Sequence, residues 1–283
     1  MAGSLSLFSP LVQTWFAEQL GEPTEVQERG WPGIVSGRHV IATAPTGSGK
    51  TLAAFLWAID QLLTGAWPCG ELQVIYISPL KALNNDIQRN LLSPLQELRA
   101  RMTAAGMEPP DVRVAVRSGD TDQSERARML RRPPEILITT PESLNLLVNS
   151  KRGRAVFGSV RTLILDEVHS VAATKRGAHL ITAVDRLVML SGEFQRLALS
   201  ATINPLEVVA EWVAGRRLET RNGQSVFVPR DIDIVECSSI KKLDVCVRYP
   251  AVGEKAANDK NVWLPYAKAI REVVRQHHEI SIA

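Results

Sequence analysis

The chain has little cysteine, little net charge and no long apolar run, and each shortage narrows what it can be. Three cysteines, Cys69, Cys237 and Cys246, are spread over 283 residues. Their number is odd and no pair has metal-ligand spacing, so neither a disulfide framework nor a zinc site is supported. Three reduced thiols in a cytoplasmic protein is the expectation. No apolar run approaches the ~18–20 residues of a membrane span. The first residues lack the basic cluster and apolar core of a signal peptide. A net charge of +3 permits nucleic-acid binding without arguing for it. The rest is ordinary for a globular protein: 45% of the residues are hydrophobic and 22% charged. The length suffices to bury a core unaided, and allows one large domain or one domain plus part of another.

Apolar strand candidates alternate with helical stretches. Ser9-Pro10 is a cap and first-turn pair for a helix running to Leu20, and Pro23-Thr24 starts a second helix containing Gln27. Strands are expected at Val40–Thr43, Val74–Ser78, Val112–Val116, Ile136–Thr139, Thr162–Leu165 and Leu197–Ser200. Several are apolar on both faces, as buried parallel strands are. Helices are expected at Leu80–Arg101, Thr121–Arg131, Glu142–Asn149, Gly177–Leu190 and Pro205–Ala214. Repeated βα units predict an α/β fold, a mostly parallel sheet covered by helices on both faces, with ligands at the carboxyl ends of the strands. After Gly215 the texture changes. Asp231–Glu236 and Leu243–Tyr249 alternate apolar and polar residues, a polar loop spans Gly253–Asn261, and Trp263–His278 reads as an amphipathic helix. The expected division is therefore one domain over 1–215 and a β-rich segment over 216–283.

The most informative stretch is Ala44-Pro45-Thr46-Gly47-Ser48-Gly49-Lys50-Thr51, between an apolar strand and a helix. Strand, glycine-rich loop and helix opening on Lys-Thr is the context of a phosphate-binding loop. Gly47 and Gly49 let consecutive amides point at one spot, and the helix N-terminus adds partial positive charge there. Lys50 reaches the β- and γ-phosphates, and the Thr51 hydroxyl ligates Mg²⁺. Ala44 replaces the first glycine of the pattern, a mild change because the turn depends on Gly47 and Gly49. Downstream, Thr162-Leu163-Ile164-Leu165 leads into Asp166-Glu167-Val168-His169. A buried strand ending in two carboxylates suits a Mg·ATP site: Asp166 holds the metal through its water shell, and Glu167 orients or deprotonates the attacking water.

With these in place the chain resembles the first RecA-like domain of superfamily-two helicases, closest to the large helicase-related (Lhr) group of the DEAD/DEAH-box type. Seven motifs occur in the family's order. Pro23–Gln27 matches the Q motif, Ala44–Thr51 motif I, Ser78-Pro79-Leu80-Lys81-Ala82-Leu83-Asn84 motif Ia, and Arg117-Ser118-Gly119-Asp120-Thr121 the next strand-contact loop. Thr139-Thr140-Pro141-Glu142-Ser143-Leu144 matches motif Ib, Asp166–His169 motif II, and Ser200-Ala201-Thr202 motif III; Lys175-Arg176-Gly177 also fits the group's habit. The resemblance covers roughly residues 8–215 well.

The resemblance implies ATP and Mg²⁺ as cofactors, with Gln27 reading the adenine edge. It implies that His169 links the hydrolytic site to nearby loops, and that Ser200 and Thr202 couple nucleotide state to strand movement. Phe8 is an approximate match for the aromatic that stacks on adenine. Pro79, Lys81, Asn84, Gly119, Asp120, Thr140, Pro141 and Ser143 are the implied contacts to single-stranded or partly duplex nucleic acid, DNA favoured over RNA, with 3′→5′ movement. Phosphate contacts of this kind are sequence-tolerant and salt-sensitive. The group Arg126, Arg128, Arg131 and Arg132 reads equally as a solvated helix face. Such a motor needs a second RecA-like half carrying arginine fingers, and the signature Gln/His-x-x-Gly-Arg-x-Gly-Arg is absent from the sequence. The expectation is one half of a helicase, inefficient alone. The alternative is a non-catalytic nucleotide- or nucleic-acid-binding module that works through a partner. A transporter-type ATPase is disfavoured because Leu-Ser-Gly-Gly-Gln is absent.

Overall fold

The computed structural model describes residues 3–79, 84–201, 203–221, 224–237, 266–267 and 269–272. Ser9 caps α1 (Pro10–Gln19) by accepting a hydrogen bond from the Val12 amide, and Pro10, which has no amide to satisfy, takes the first helical position. Thr24 and Gln27 form a capping box that starts α2 (Glu25–Val35). Then come β1 (His39–Thr43), α3 (Lys50–Leu63), β2 (Val74–Ile77), α4 (Asn84–Ile87), a π-turn at Gln88–Leu92, and α5 (Ser93–Ala104). β3 (Val114–Arg117), α6 (Gln123–Arg131), β4 (Ile136–Thr139), α7 (Pro141–Asn149), α8 (Lys151–Arg154), β5 (Thr162–Leu165), α9 (Lys175–Ser191), β6 (Gln195–Ser200) and α10 (Leu206–Ala214) follow. The compact unit closes with β7 (Arg216–Arg221), β8 (Gln224–Pro229) and β9 (Ile232–Glu236).

Seven strands form one sheet in the order β3-β4-β2-β5-β6-β1-β9, and every adjacent pair is parallel. Alternate side chains serve the two faces. Val74 and Tyr76 of β2 join one core with Trp31, Phe55, Ile59 and Leu98, whereas Ile75 and Ile77 join the other with Leu144, Leu180 and Val184. Trp31 is fully buried, edge-on to Phe8 and Phe16, and its indole N–H donates to the Ala53 carbonyl. Removing that ring costs about 3–5 kcal/mol. β7 and β8 make a separate antiparallel pair. Among the described residues no helix is long and apolar enough to cross a membrane.

Two expectations change. The helix expected over Leu80–Arg101 is interrupted by the π-turn, immediately ahead of Pro94, which has no amide to extend the helical ladder. The boundary expected after Gly215 lies later. β9 pairs in register with β1, His39 against Ile232 and Thr43 against Glu236, so the hairpin and β9 belong to a compact unit that runs to Ser239. The second unit covers Ile240–Ala283. Within it, residues 266–267 and 269–272 are helical, as the amphipathic pattern predicts. Leu243–Tyr249, Gly253–Asn261 and Cys246 lie outside the described residues.

Candidate nucleotide and nucleic-acid site

The sheet order divides the motifs. β1, β5 and β6 carry the phosphate loop, the carboxylate pair and Ser200 at their carboxyl ends. β2, β4 and β3 carry residues 78–84, 139–144 and 117–121 at theirs. The two groups meet between β2 and β5, where successive connections run to opposite sides of the sheet.

In the phosphate loop, Gly47 (φ 79°) and Gly49 (φ 86°) both occupy the left-handed region that other residues avoid. Gly49 caps α3, and a side chain there would meet Gln27. Lys50 is 9% exposed, and its ammonium donates to the carbonyls of Ala44 and, at 2.9 Å, Pro45. Burial lowers its pKa, and the nearby Glu167 and Asp166 oppose that shift. The Ser48 hydroxyl is buried and has no protein partner. Thr46 and Pro45 complete the loop, and Thr51 follows Lys50 in the first turn of α3.

Asp166 continues β5. One carboxylate oxygen accepts from the Glu167 amide at 2.8 Å, and the other accepts from the Tyr76 hydroxyl. Burial raises the Asp166 pKa, and these two donors pull it back. Burial and the Asp166 charge together push the Tyr76 phenol up, which keeps it a donor. Glu167 is the one non-glycine residue with positive φ among those described, at φ 51° and ψ 40°. That conformation costs about 1–2 kcal/mol, and it is held by the Ser170 amide and hydroxyl, which both donate to the Glu167 carbonyl at 3.0 and 2.8 Å. It sets the Glu167 carboxylate 3.3 Å from His169 Nδ1. The same Nδ1 lies 3.0 Å from the Ser200 hydroxyl, and the Ser200 carbonyl accepts from the Ala44 amide at 3.2 Å. His169 thus joins motif II to the end of β6, and Ser200 joins both to the phosphate loop. Thr202 lies outside the described residues.

Gln27 is buried. Its side-chain oxygen accepts from the Thr24 amide at 2.9 Å, and its amide nitrogen donates to the Gly49 carbonyl at 3.4 Å. It therefore packs on the phosphate loop, with one further N–H and one lone pair unspent. Phe8 departs from expectation: at 4% exposed, with its ring against Trp31 and Trp57, it is core and no stacking platform.

On the other half of the sheet, Pro79 is buried after β2 and Asn84 opens α4. Lys81 lies outside the described residues. Gly119 has open space where a side chain would be, the Asp120 amide donates to the Ser118 hydroxyl, and Arg126 donates to the carbonyls of Ser118 and Gly119. Arg126 therefore shapes the strand-contact loop and is no idle surface charge. Beside it, Arg117 has a buried guanidinium nitrogen without a partner, and burial and Arg126 lower its pKa. Thr140 and Ser143, expected to offer hydroxyls to phosphate, are both buried. The Thr140 hydroxyl caps α7 through the Ser143 amide and also bonds the Ser143 hydroxyl, with Pro141 in the first turn. What α7 presents at this end is its N-terminal turn.

The DEAD/DEAH box helicase family profile matches residues 24–210. The chain belongs to the DEAD/DEAH box helicase family. It is 42% identical over 98% of its length to the Lhr helicase/probable uracil glycosylase of Mycolicibacterium smegmatis, and covers 18% of that protein. It is 41% identical over 96% of its length to the ATP-dependent helicase Lhr-Core of Methanothermobacter thermautotrophicus, and covers 31% of it. The structure of Mycobacterium smegmatis helicase Lhr bound to ssDNA and AMP-PNP superposes with a TM-score of 0.79 at 40% identity, over 98% of this chain and 34% of that one. The chain thus spans less than a third of the length of these curated relatives. Its fold is that of the RecA-like helicase domains.

Two site-building contacts of this helicase domain escaped the motif reading. Arg176, at the start of α9, makes a bidentate pair with Glu142 in the first turn of α7, which holds the Glu142 carboxyl below the usual carboxylate range. It ties the helix after motif II to the helix of motif Ib. Tyr76 is the second, a hydroxyl inside the apolar run Val74-Ile75-Tyr76-Ile77. An isolated hydroxyl in a buried strand is the only signal that could have found it.

Proposed function

We propose that this domain binds ATP with Mg²⁺ and a single strand of nucleic acid, DNA in preference to RNA, as the first RecA-like half of an ATP-driven helicase. The observation that carries this is the convergence of Lys50, Asp166, Glu167, His169 and Ser200 at one end of the sheet, beside a phosphate loop with an orphaned Ser48 hydroxyl. The donors fit Mg²⁺, which prefers hard oxygens: Thr51 would hold it directly and Asp166 through water. Among the described residues no cluster of three or more His, Cys, Asp or Glu gathers. That agrees with an ion that takes most of its ligands from phosphates and water. When bound, Mg²⁺ neutralises charge on the β- and γ-phosphates.

The chain's own groups divide the remaining work. Lys50 exchanges its two loop carbonyls for phosphate oxygens. Glu167, fixed by its left-handed backbone, orients the attacking water. Gln27 reads adenine with its unspent N–H and lone pair. His169 and Ser200 transmit the state of Glu167 and the loop to β6. On the other half of the sheet, a strand phosphate beside Arg117 and Arg126 would relieve their mutual repulsion. The amides at the start of α7 bind the next phosphate. The M. smegmatis structure, named for both ssDNA and AMP-PNP, supports this pairing of ligands.

No arginine-finger signature occurs in the sequence. Loss of such a finger costs on the order of 10³–10⁵ in rate. The isolated domain therefore holds ATP better than it uses it, and a second RecA-like half supplies the fingers. The test is nucleotide affinity and ATPase rate of the chain and of Lys50→Ala, with and without single-stranded DNA and a second-domain chain. Lys50→Ala loses affinity while staying folded, and the second-domain chain raises the rate. Unchanged affinity in Lys50→Ala would overturn the site. No stimulation under any condition would make the domain a binding module.

A further inference from the structure

Tyr76 and Asp166 meet because of strand register. Tyr76 stands opposite Ile164 across the β2–β5 ladder, and Asp166 lies two residues further along, on the same face of the sheet. The Tyr76 side chain is fully buried and its hydroxyl donates to Asp166 Oδ2. The Glu167 amide donates to Oδ1. Donors on both oxygens fix the plane of the carboxylate and leave each oxygen's remaining lone pair for a ligand. The ring itself is fixed by Phe55, 5.0 Å away between centroids and tilted by 30°, on the helix that the phosphate loop opens. An apolar strand that needed only volume here would be served by phenylalanine or leucine. A hydroxyl buried without a partner would be destabilising, so its pairing with a carboxylate at the site is specific.

We propose that Tyr76 is a positioning residue for Mg²⁺: it orients the Asp166 carboxylate from behind and so sets how tightly the metal completes the nucleotide site. This rests on the reading of Asp166 as the metal carboxylate. Tyr76 touches neither nucleotide nor metal. It acts through Asp166, from the strand whose end carries Ser78 and Pro79 of the nucleic-acid half. Groups that orient a metal ligand typically govern metal affinity by 10-fold or more.

The experiment titrates MgCl₂ into the full chain with a fluorescent N-methylanthraniloyl-ADP probe, and compares the result with binding in EDTA. In Tyr76→Phe the half-saturating Mg²⁺ concentration rises on the order of tenfold, while affinity in EDTA stays within about twofold and melting stays cooperative. Phe55→Leu, which keeps the hydroxyl but loosens the ring, gives a smaller rise in the same direction and carries the test if Tyr76→Phe does not fold. Asp166→Asn separates the two levels of the argument. If Asp166→Asn raises the Mg²⁺ requirement and neither Tyr76→Phe nor Phe55→Leu does, the positioning role is refuted and the metal assignment stands. If Asp166→Asn also leaves it unchanged, the assignment itself falls. Equal losses in EDTA and in Mg²⁺ for Tyr76→Phe would make Tyr76 merely structural and overturn the proposal.

Discussion

Gly49 bears two constraints at once, and they can be separated by substitution. Its φ of 86° lies where an alanine is strained, and its added Cβ would stand 2.6 Å from Gln27 Nε2 and 3.3 Å from Gln27 Cδ. Gly47, two residues away in the same loop, has a similar φ of 79° but nothing within 4 Å of its added Cβ. Gly47→Ala therefore isolates the backbone term, about 1–2 kcal/mol. Gly49→Ala adds displacement of Gln27. That breaks the capping-box bond from the Thr24 amide and the bond to the Gly49 carbonyl, roughly 1–2 kcal/mol more. Urea denaturation would show Gly49→Ala less stable by about 2–4 kcal/mol. For a unit of this size each kcal/mol lowers Tm by about 2–4 °C.

Gln27→Ala supplies the decisive comparison. In that background the side chain in the way is gone, so Gly49→Ala should cost no more than Gly47→Ala. The double-mutant cycle then gives a coupling of about 1–2 kcal/mol between positions 27 and 49. A coupling below about 0.5 kcal/mol, the ordinary error of additivity, would refute the Gln27–Gly49 contact, leaving the Thr24 hydroxyl, which donates to the Ser48 carbonyl at 2.8 Å, as the tie between the Q motif and the phosphate loop.

Gly177, in the first turn of α9, has no room for a side chain: its Cβ would lie inside van der Waals contact of the Val171 carbonyl oxygen. Gly177→Ala should cost about 2–3 kcal/mol in thermal or urea unfolding, against about 0.5 kcal/mol or less for Gly119→Ala, where space is open. His39 should make stability fall in mild acid. Burial first, then Arg196 and Arg230, lower its pKa to about 4, and its Nδ1 accepts from the Arg196 amide at 3.0 Å. Its contribution is fully present above the unfolded value of 6.5 and is lost as pH falls from there through about 4. The loss is roughly 2 kcal/mol once the ring's partial exposure is allowed for. Urea midpoints at pH 7 and pH 4 measure it, and His39→Gln should flatten that difference; an unchanged profile would refute a neutral, half-buried His39. His169→Ala and Ser200→Ala should be non-additive by about 0.5–1.5 kcal/mol in unfolding, because each removes the same 3.0 Å contact; strict additivity would break the proposed link.

The sheet strands were legible because they are apolar on both faces. Ile136–Thr139 and Thr162–Leu165 fall where the sequence puts them, and the phosphate loop and carboxylate pair sit at their expected strand ends. Elsewhere the sequence showed residue types without their partners. Thr140 and Ser143 read as phosphate ligands because they are hydroxyls at a helix start, but a helix start also needs a cap, and the Thr140 hydroxyl supplies it to the Ser143 amide while donating to the Ser143 hydroxyl. Phe8 matched an approximate spacing, while the ring went to Trp31, where burial gains more. Asp231–Glu236 read as a separate half-exposed strand because an edge strand has one solvated side, and only register shows that its other side is β1. Tyr76 and Arg176 were invisible as pairs for the same reason: their partners are 90 and 34 residues away.

The sheet order also says why the two ligands of such a domain would report on each other. The groups proposed for nucleotide sit on β1, β5 and β6, those proposed for nucleic acid on β2, β4 and β3, and among the described residues the β2–β5 ladder is what joins them inside the sheet. Side-chain ties cross the same line on both faces. Tyr76 reaches from β2 to Asp166 within one core, and Arg176 and Glu142 clamp α9 to α7 on the other. The first tie is buried and stiff. The second is half-exposed, so it contributes no more than about 1 kcal/mol to stability and can open at little cost. A strand phosphate at the start of α7, as proposed, would compete with the Glu142 carboxylate for that helix end, which gives Arg176 a reason to hold the carboxylate aside. On the proposed assignment, coupling between the two sites would need no long pathway: the β2–β5 ladder and the Tyr76–Asp166 and Arg176–Glu142 contacts already link the strand ends that carry them.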